Sequence, residues 1–156
     1  MDKQIKIALP KGRLQEKTAS LLDEAGLGLT GYHQSSRFYR IKSQALPGLT
    51  AKVFNEKDVP VQVAIGNYDL GICGLDWAEE LTSKYPSSAI SRVRELGYGE
   101  GTIYAAVNAF SGPPDKLAAG VETMRIASEY PNLAEAYALK RRIRRFSIYP
   151  LWGAAE

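Results

Sequence analysis

The chain has 156 residues, 45% of them hydrophobic and 24% charged, which is the composition of one ordinary soluble domain or two small lobes. No apolar run approaches the roughly 20 residues needed to cross a bilayer, and the first residues carry no signal-peptide core. The net charge of +3 depends on one local run, Lys140, Arg141, Arg142, Arg144 and Arg145, without which the balance is negative; the basic pI therefore does not describe a broad nucleic-acid face. A single cysteine, Cys73, excludes an internal disulfide and fits a reducing cytoplasm. Cys73 sits in an apolar run, as a buried inert thiol does, and the lone His33 has no visible partner for nucleophilic catalysis. One His and one Cys cannot form a His/Cys metal cluster, so no protein-held metal is expected.

In chain order, residues 5–9 read as a first strand and Pro10-Lys11-Gly12-Arg13 as a turn. A helix follows, with Leu14, Thr18, Leu21, Leu22 and Ala25 on one stripe and Gly26 as its stop. This places Lys11, Gly12 and Arg13 at a helix start, where backbone N–H groups and two cations can meet an anion. Residues 30–36 are loop-like. Residues 38–43 and 49–54 suggest two strands around the turn Leu46-Pro47-Gly48. Asp58 is expected to cap a short helix that tolerates Pro60 in its first turn and ends at Gly66.

Residues 66–76 organise the first half: Gly-Asn-Tyr-Asp-Leu-Gly-Ile-Cys-Gly-Leu-Asp. Leu70 to Cys73 reads as a strand buried on both faces of a parallel sheet, ended by Gly74, with Asp76 capping the next helix to about Lys84. Ligands bind beyond the carboxyl ends of such strands, so the segment from Gly74 to Asp76 is a candidate site. Residues 90–96 and 102–107 alternate as strands do, separated by a glycine-rich break. The zone 108–114 is the best lobe boundary in composition. Residues 124–127 read as a strand. Asn132 is expected to cap a helix to about Arg142 whose buried side is Leu133, Ala136, Leu139 and Ile143, and Phe146 and Ile148 alternate in a last strand. Strands alternating with helices imply α/β layers, arranged as a first lobe over residues 1–100 and a second, incomplete lobe over 101–156.

Five segments then align with one family: Ala8-Leu9-Pro10-Lys11-Gly12-Arg13-Leu14; Lys57-Asp58-Val59-Pro60; Gly66-x-x-Asp69-Leu70-Gly71-Ile72-x-Gly74-x-Asp76; Met124-Arg125-Ile126-Ala127-Ser128-x-Tyr130-Pro131-Asn132; and Gly153-Ala154-Ala155-Glu156. In this order and spacing the chain resembles the ATP phosphoribosyltransferases of histidine biosynthesis. The resemblance implies a two-lobed, periplasmic-binding-protein-like (type II) α/β fold. It implies transfer of phosphoribosyl from phosphoribosyl pyrophosphate to N1 of ATP, with pyrophosphate released and Mg²⁺ carried by the substrate phosphates. It implies Arg13 and Arg37 as the catalytic cations, with Lys11, Gly12, Gly74, Asp76 and Glu156 contacting substrate. It also implies a homo-oligomer, in some members joined by a regulatory subunit similar to a histidyl-tRNA synthetase.

Two departures qualify that expectation. Asn55 stands where the family usually carries an arginine. The family's acidic-x-x-x-Thr-Gly-x-Thr loop for the 5′-phosphate has no counterpart, since Thr30-Gly31 is misplaced and preceded by Gly26. The expectation is therefore the catalytic region of a C-terminally truncated enzyme, inactive alone. Two other readings stay open: a non-catalytic ligand-binding or effector domain of the same fold, and nucleic-acid binding through residues 140–145.

Overall fold

The computed structural model describes residues 4–33, 39–85, 90–120 and 122–152. Two compact units emerge: Met1–Ala78 with Ser87–Gly101, and Glu79–Pro86 with Thr102–Glu156.

The first unit is built on a four-stranded sheet of order β2-β3-β1-β4, comprising β1 (Ile5–Lys11), β2 (Arg40–Lys42), β3 (Leu49–Asn55) and β4 (Leu70–Gly71). β3 and β4 both run parallel to β1, and β2 runs antiparallel to β3. Alternation along β1 sends Ile7 and Leu9 to one face. There they form a core with Leu22 of α1 (Gln15–Glu24), Leu29, Tyr32, Ile41, Leu49, Ala51 and Val53. Ala8 is fully buried, and so is Val59 of α2 (Asp58–Ala64), a helix that packs against β1 and β4. The parallel strands bring their carboxyl ends, Lys11, Asn55 and Gly71, to one edge of the sheet.

Several expectations shift. β1 continues through Pro10 to Lys11, so the strand absorbs half of the expected turn and Lys11 lies opposite Asn55. The α1 stripe keeps Leu14, Thr18 and Leu22 buried, whereas Leu21 is half-buried and Ala25 is exposed; Gly26 closes the helix at φ +69°. Asp58 is the first residue of α2, and Lys57 occupies the cap position without a side-chain cap.

The run from Leu70 to Cys73 is not buried on both faces. β4 pairs only over Leu70–Gly71 and is the sheet edge, with Leu70 exposed and Ile72 packed partly against the core. An apolar run cannot distinguish a central strand from an edge strand whose outer flank is open. Asp69 fixes this edge: its carboxylate accepts the Lys6 amide at 2.8 Å, and its own amide donates to the Lys6 carbonyl at 3.0 Å. Gly71 is required by packing, since a Cβ there would lie 2.8 Å from Val59 Cγ1 and 2.9 Å from Val63 Cγ2.

α3 (Leu75–Lys84) begins in the first unit and its last turns belong to the second. The second unit also holds a 3₁₀ turn at Ala109–Ser111, α4 (Pro114–Gly120), β5 (Met124–Ser128), α5 (Pro131–Lys140) and β6 (Phe146–Pro150). β5 and β6 form a parallel pair covered by α5. α4 occupies a stretch to which the sequence reading gave no element; Pro114 at its first position is its start signal.

Three further expectations are corrected. Residues 90–96 and 102–107 join no ladder among the described residues, and Val93 and Tyr104 are exposed. Alternation marks a chain suited to a sheet, but only a neighbour with free backbone groups makes it a strand. Asn132 is the second residue of α5 and does not cap it. The buried residue of α5 is Ala138, while Ala136 and Leu139 are exposed; the helix also starts two residues earlier than a cap at Asn132 implies and ends at Lys140, so the face it buries is not the expected stripe.

Candidate functional site

Three loops leave the carboxyl edge of the first unit's sheet: 12–14 after β1, 56–57 after β3, and 72–74 after β4. Gly12 permits the first of them, since its φ of +93° lies in the left-handed region. The turn closes with the Gln15 amide donating to the Gly12 carbonyl at 3.0 Å. Tyr32 braces the end of β1 by donating its hydroxyl hydrogen to the Pro10 carbonyl at 2.6 Å.

Arg13 ties the first two loops to the first turn of the helix that follows the third, Leu75–Lys84. Its Nε donates to Glu56 Oε2 at 3.2 Å, and its Nη2 donates to Asp76 Oδ2 at 3.1 Å. The two carboxylates are largely shielded, at 11% and 16% exposure, whereas the Arg13 side chain is 53% exposed. A planar fork held by two fixed acids, with much of its surface in water, is oriented for a planar or tetrahedral anion. Because the pairs are partly exposed, their weight is in orientation rather than in stability.

Asp76 therefore does not cap α3; it lies in the first turn, and its carboxylate is committed to Arg13. Gly74 makes that posture possible, because a Cβ at residue 74 would run into the Asp76 carboxylate and lie 3.4 Å from Arg13 Nη2. Lys11 is exposed at the end of β1, its Nζ 5.9 Å from the centroid of the Tyr39 ring. Thus Arg13, Gly12, Gly74 and Asp76 meet at one edge with Lys11 at the end of the same strand. Arg37 and Glu156 lie outside the described residues.

Glu56 is the participant that sequence reasoning missed. It follows the last residue of β3, and the rule that ligands gather beyond the carboxyl ends of parallel strands would have singled it out. Cys73, beside Gly74, has its thiol pushed up to about 11 by burial, with the charges of Asp76 and Glu56 adding to the effect. It stays protonated at neutral pH and is no nucleophile there.

In the second unit the segment Tyr130-Pro131-Asn132 opens α5. Pro131 and Asn132 line an open cavity of about 370 Å³ together with Lys84, Glu135 and residues of β6. The basic run is divided: Lys140 ends α5, Arg141 stacks 5.6 Å from the Tyr137 ring, and Arg145 pairs with Glu122 at 3.7 Å. Among the described residues no three His, Cys, Asp or Glu side chains are grouped to hold a metal, and no helix is long and apolar enough to cross a membrane.

A family model described as "HisG: ATP phosphoribosyltransferase" matches residues 55–156. The chain belongs to the ATP phosphoribosyltransferase (HisG) family. These are transferases of histidine biosynthesis, as the five sequence segments had implied. Among the relatives, the ATP phosphoribosyltransferase of Aquifex aeolicus is 34% identical over 154 residues, covering 97% of this chain and 65% of that protein. The one from Thermodesulfovibrio yellowstonii is 32% identical over 160 residues, covering 99% of this chain and 51% of that protein. The chain thus spans about half to two-thirds of the length of these HisG relatives. Its fold matches a chain of the ATP phosphoribosyl transferase (HisG:HisZ) complex from Thermotoga maritima, with a TM-score of 0.64 at 22% identity over 97% of this chain and 66% of that one. The periplasmic-binding-protein-like α/β fold expected from the sequence is the one found.

Proposed function

We propose that this HisG-family chain supplies the nucleotide side of an ATP phosphoribosyltransferase site, which transfers phosphoribosyl from phosphoribosyl pyrophosphate to N1 of ATP and releases pyrophosphate. The observation that carries this reading is Arg13, held by Glu56 and Asp76 at the carboxyl edge of a parallel sheet. Displacement at an anomeric carbon needs no Cys or His nucleophile. It needs two polyanions aligned and the departing pyrophosphate stabilised by fixed cations.

In this reading Arg13, with Arg37, takes the pyrophosphate charge. Lys11 adds a cation at the end of β1, Gly12 lets substrate approach the backbone, and Gly74 serves the substrate side by making room for the Asp76 carboxylate. Asp76 contacts the nucleotide, and Glu156 lies on the ribose side. Glu56 and Asp76 are paired with the Arg13 guanidinium, which favours a Mg²⁺ ion carried in by the substrate phosphates over one held by these carboxylates. The ion enters as the counter-ion of the substrate phosphates, and no step is routed through it. The 156 residues contain no acidic-x-x-x-Thr-Gly-x-Thr segment; the reading therefore assigns them nucleotide binding without turnover. Self-association belongs to the same reading, and so does a HisZ-like partner, since the Thermotoga maritima complex pairs HisG with HisZ.

Titration calorimetry of the 156-residue chain tests it. ATP should bind, Arg13→Ala should weaken binding at least tenfold, and amino acids should not compete. No ATP binding, or preferential binding of an amino acid, overturns the reading in favour of a solute-binding or effector domain. Pyrophosphate release by the chain alone overturns the assignment of binding without turnover.

A further inference from the structure

Among the described residues Arg13 is held by two carboxylates, and these three groups sum to a negative charge. That is an unexpected charge at a place that is to receive a phosphate. The neighbouring Asn55 adds no cation, and Lys11 stands off toward Tyr39. The two acids also differ in how they are held. Asp76 lies over Gly74, where no Cβ would fit, so its posture is locked by the backbone beside it. Glu56 reaches Arg13 from the residue after β3 and engages Nε, at the inner end of the guanidinium fork.

We propose that Glu56 is a positioning residue that sets the anion affinity of Arg13: it orients the guanidinium in the unliganded site and opposes a bound pyrophosphate through its charge. This rests on the reading of Arg13 as the pyrophosphate-facing cation. An arginine held by two largely shielded acids is ordered before substrate arrives, so little side-chain entropy is lost on binding. The same acids repel the incoming anion, because at separations of several ångströms in a partly shielded site a like charge changes ionic affinities severalfold or more. The chemical consequence is a site that grips pyrophosphate while it departs and then lets it go.

The isosteric variant Glu56→Gln separates orientation from charge, since its amide oxygen still accepts from Arg13 Nε while the negative charge is gone. Calorimetry with inorganic pyrophosphate on the full 156-residue chain should show binding about tenfold tighter for Glu56→Gln than for wild type. Pyrophosphate binding itself should be lost in Arg13→Ala and in the Arg13→Ala/Glu56→Gln double variant alike, and the gain of Glu56→Gln over wild type should shrink at high salt. Unchanged or weaker pyrophosphate binding by Glu56→Gln overturns the inference, as does pyrophosphate binding that survives Arg13→Ala. ATP titrations run in parallel distinguish the two levels. Arg13-dependent ATP binding without tighter pyrophosphate binding leaves the functional reading standing and removes this one. Absence of both ATP and pyrophosphate binding removes both.

Discussion

The Leu133 amide donates to the Glu80 carboxylate at 2.8 Å, a contact between residues 53 positions apart, and the Asn132 amide donates to the other oxygen of the same group at 2.9 Å. One acid on α3 thus caps the first turn of α5, and the Asn132 side chain returns a hydrogen bond to the Glu80 carbonyl at 3.1 Å. Glu80 is 8% exposed, so its removal leaves two helix N–H groups unmet away from water. Glu80→Ala should cost about 1–3 kcal/mol, read as a lowered urea midpoint. Glu80→Gln should recover part of the loss, since an amide offers one acceptor where the carboxylate offers two. Equal midpoints for wild type and Glu80→Ala would show that the cap is not energetically used.

The same contact explains what the sequence could and could not convey. Cap rules see residues adjacent to a helix start, so Asn132 was the natural candidate, and an acceptor arriving from 52 residues upstream leaves no local trace. Arg13 behaves alike: its acids are 43 and 63 residues away, and no spacing announces them. What local periodicity does encode was legible, namely β1, α1, β3, α2 and the place of Gly74–Asp76 at a strand's end. Residues 90–107 mark the opposite limit. Their alternation states a preference for a ladder, and whether a ladder exists depends on a neighbour that the segment itself does not specify.

Gly74 and Asp76 make a second prediction. A Cβ at residue 74 meets the Asp76 carboxylate, so Gly74→Ala should swing Asp76 away from Arg13 without disturbing the buried core of Ile7, Leu9 and Leu22. ATP affinity should fall about tenfold, the order of one charge-assisted contact, while the urea midpoint stays within experimental error. A loss of stability with no loss of ATP affinity would assign Gly74 to the fold alone.

Gly71 should behave in the reverse manner. Its Cα faces Val59 and Val63 of α2, and an added methyl group lands inside van der Waals distance of both. Gly71→Ala should destabilise by about 1–3 kcal/mol through overpacking between β4 and α2. The companion change Val63→Ala, which removes the Cγ2 that the new methyl meets, should restore part of that loss. A double variant no more stable than the sum of the two single changes would locate the strain elsewhere.

Cys73 gives the chain a distinctive alkaline limit. Burial holds its thiol protonated up to about 11 against an ordinary value of 9.0, and the nearby charges of Asp76 and Glu56 act in the same direction. Tyr32, buried beneath the end of β1, has its hydroxyl held above its ordinary value, chiefly by burial as well. Through this window the unfolded chain gives up these protons first, so the folded chain binds more of them and stability falls as pH rises. For Cys73 the loss should begin near pH 9 and be complete a little above pH 11, on the order of 3 kcal/mol in all. Urea midpoints at pH 8, 9, 10 and 11 measure it. Cys73→Ala should flatten the decline without abolishing it, because Tyr32 continues to contribute, and Tyr32→Phe should flatten it further. Iodoacetamide should label Cys73 of the folded chain slowly at pH 8 and faster as the thiol ionises. Rapid labelling at pH 8, or a stability profile that Cys73→Ala leaves unchanged, would mean that the thiol is not held in the shielded, negatively charged pocket beside Gly74.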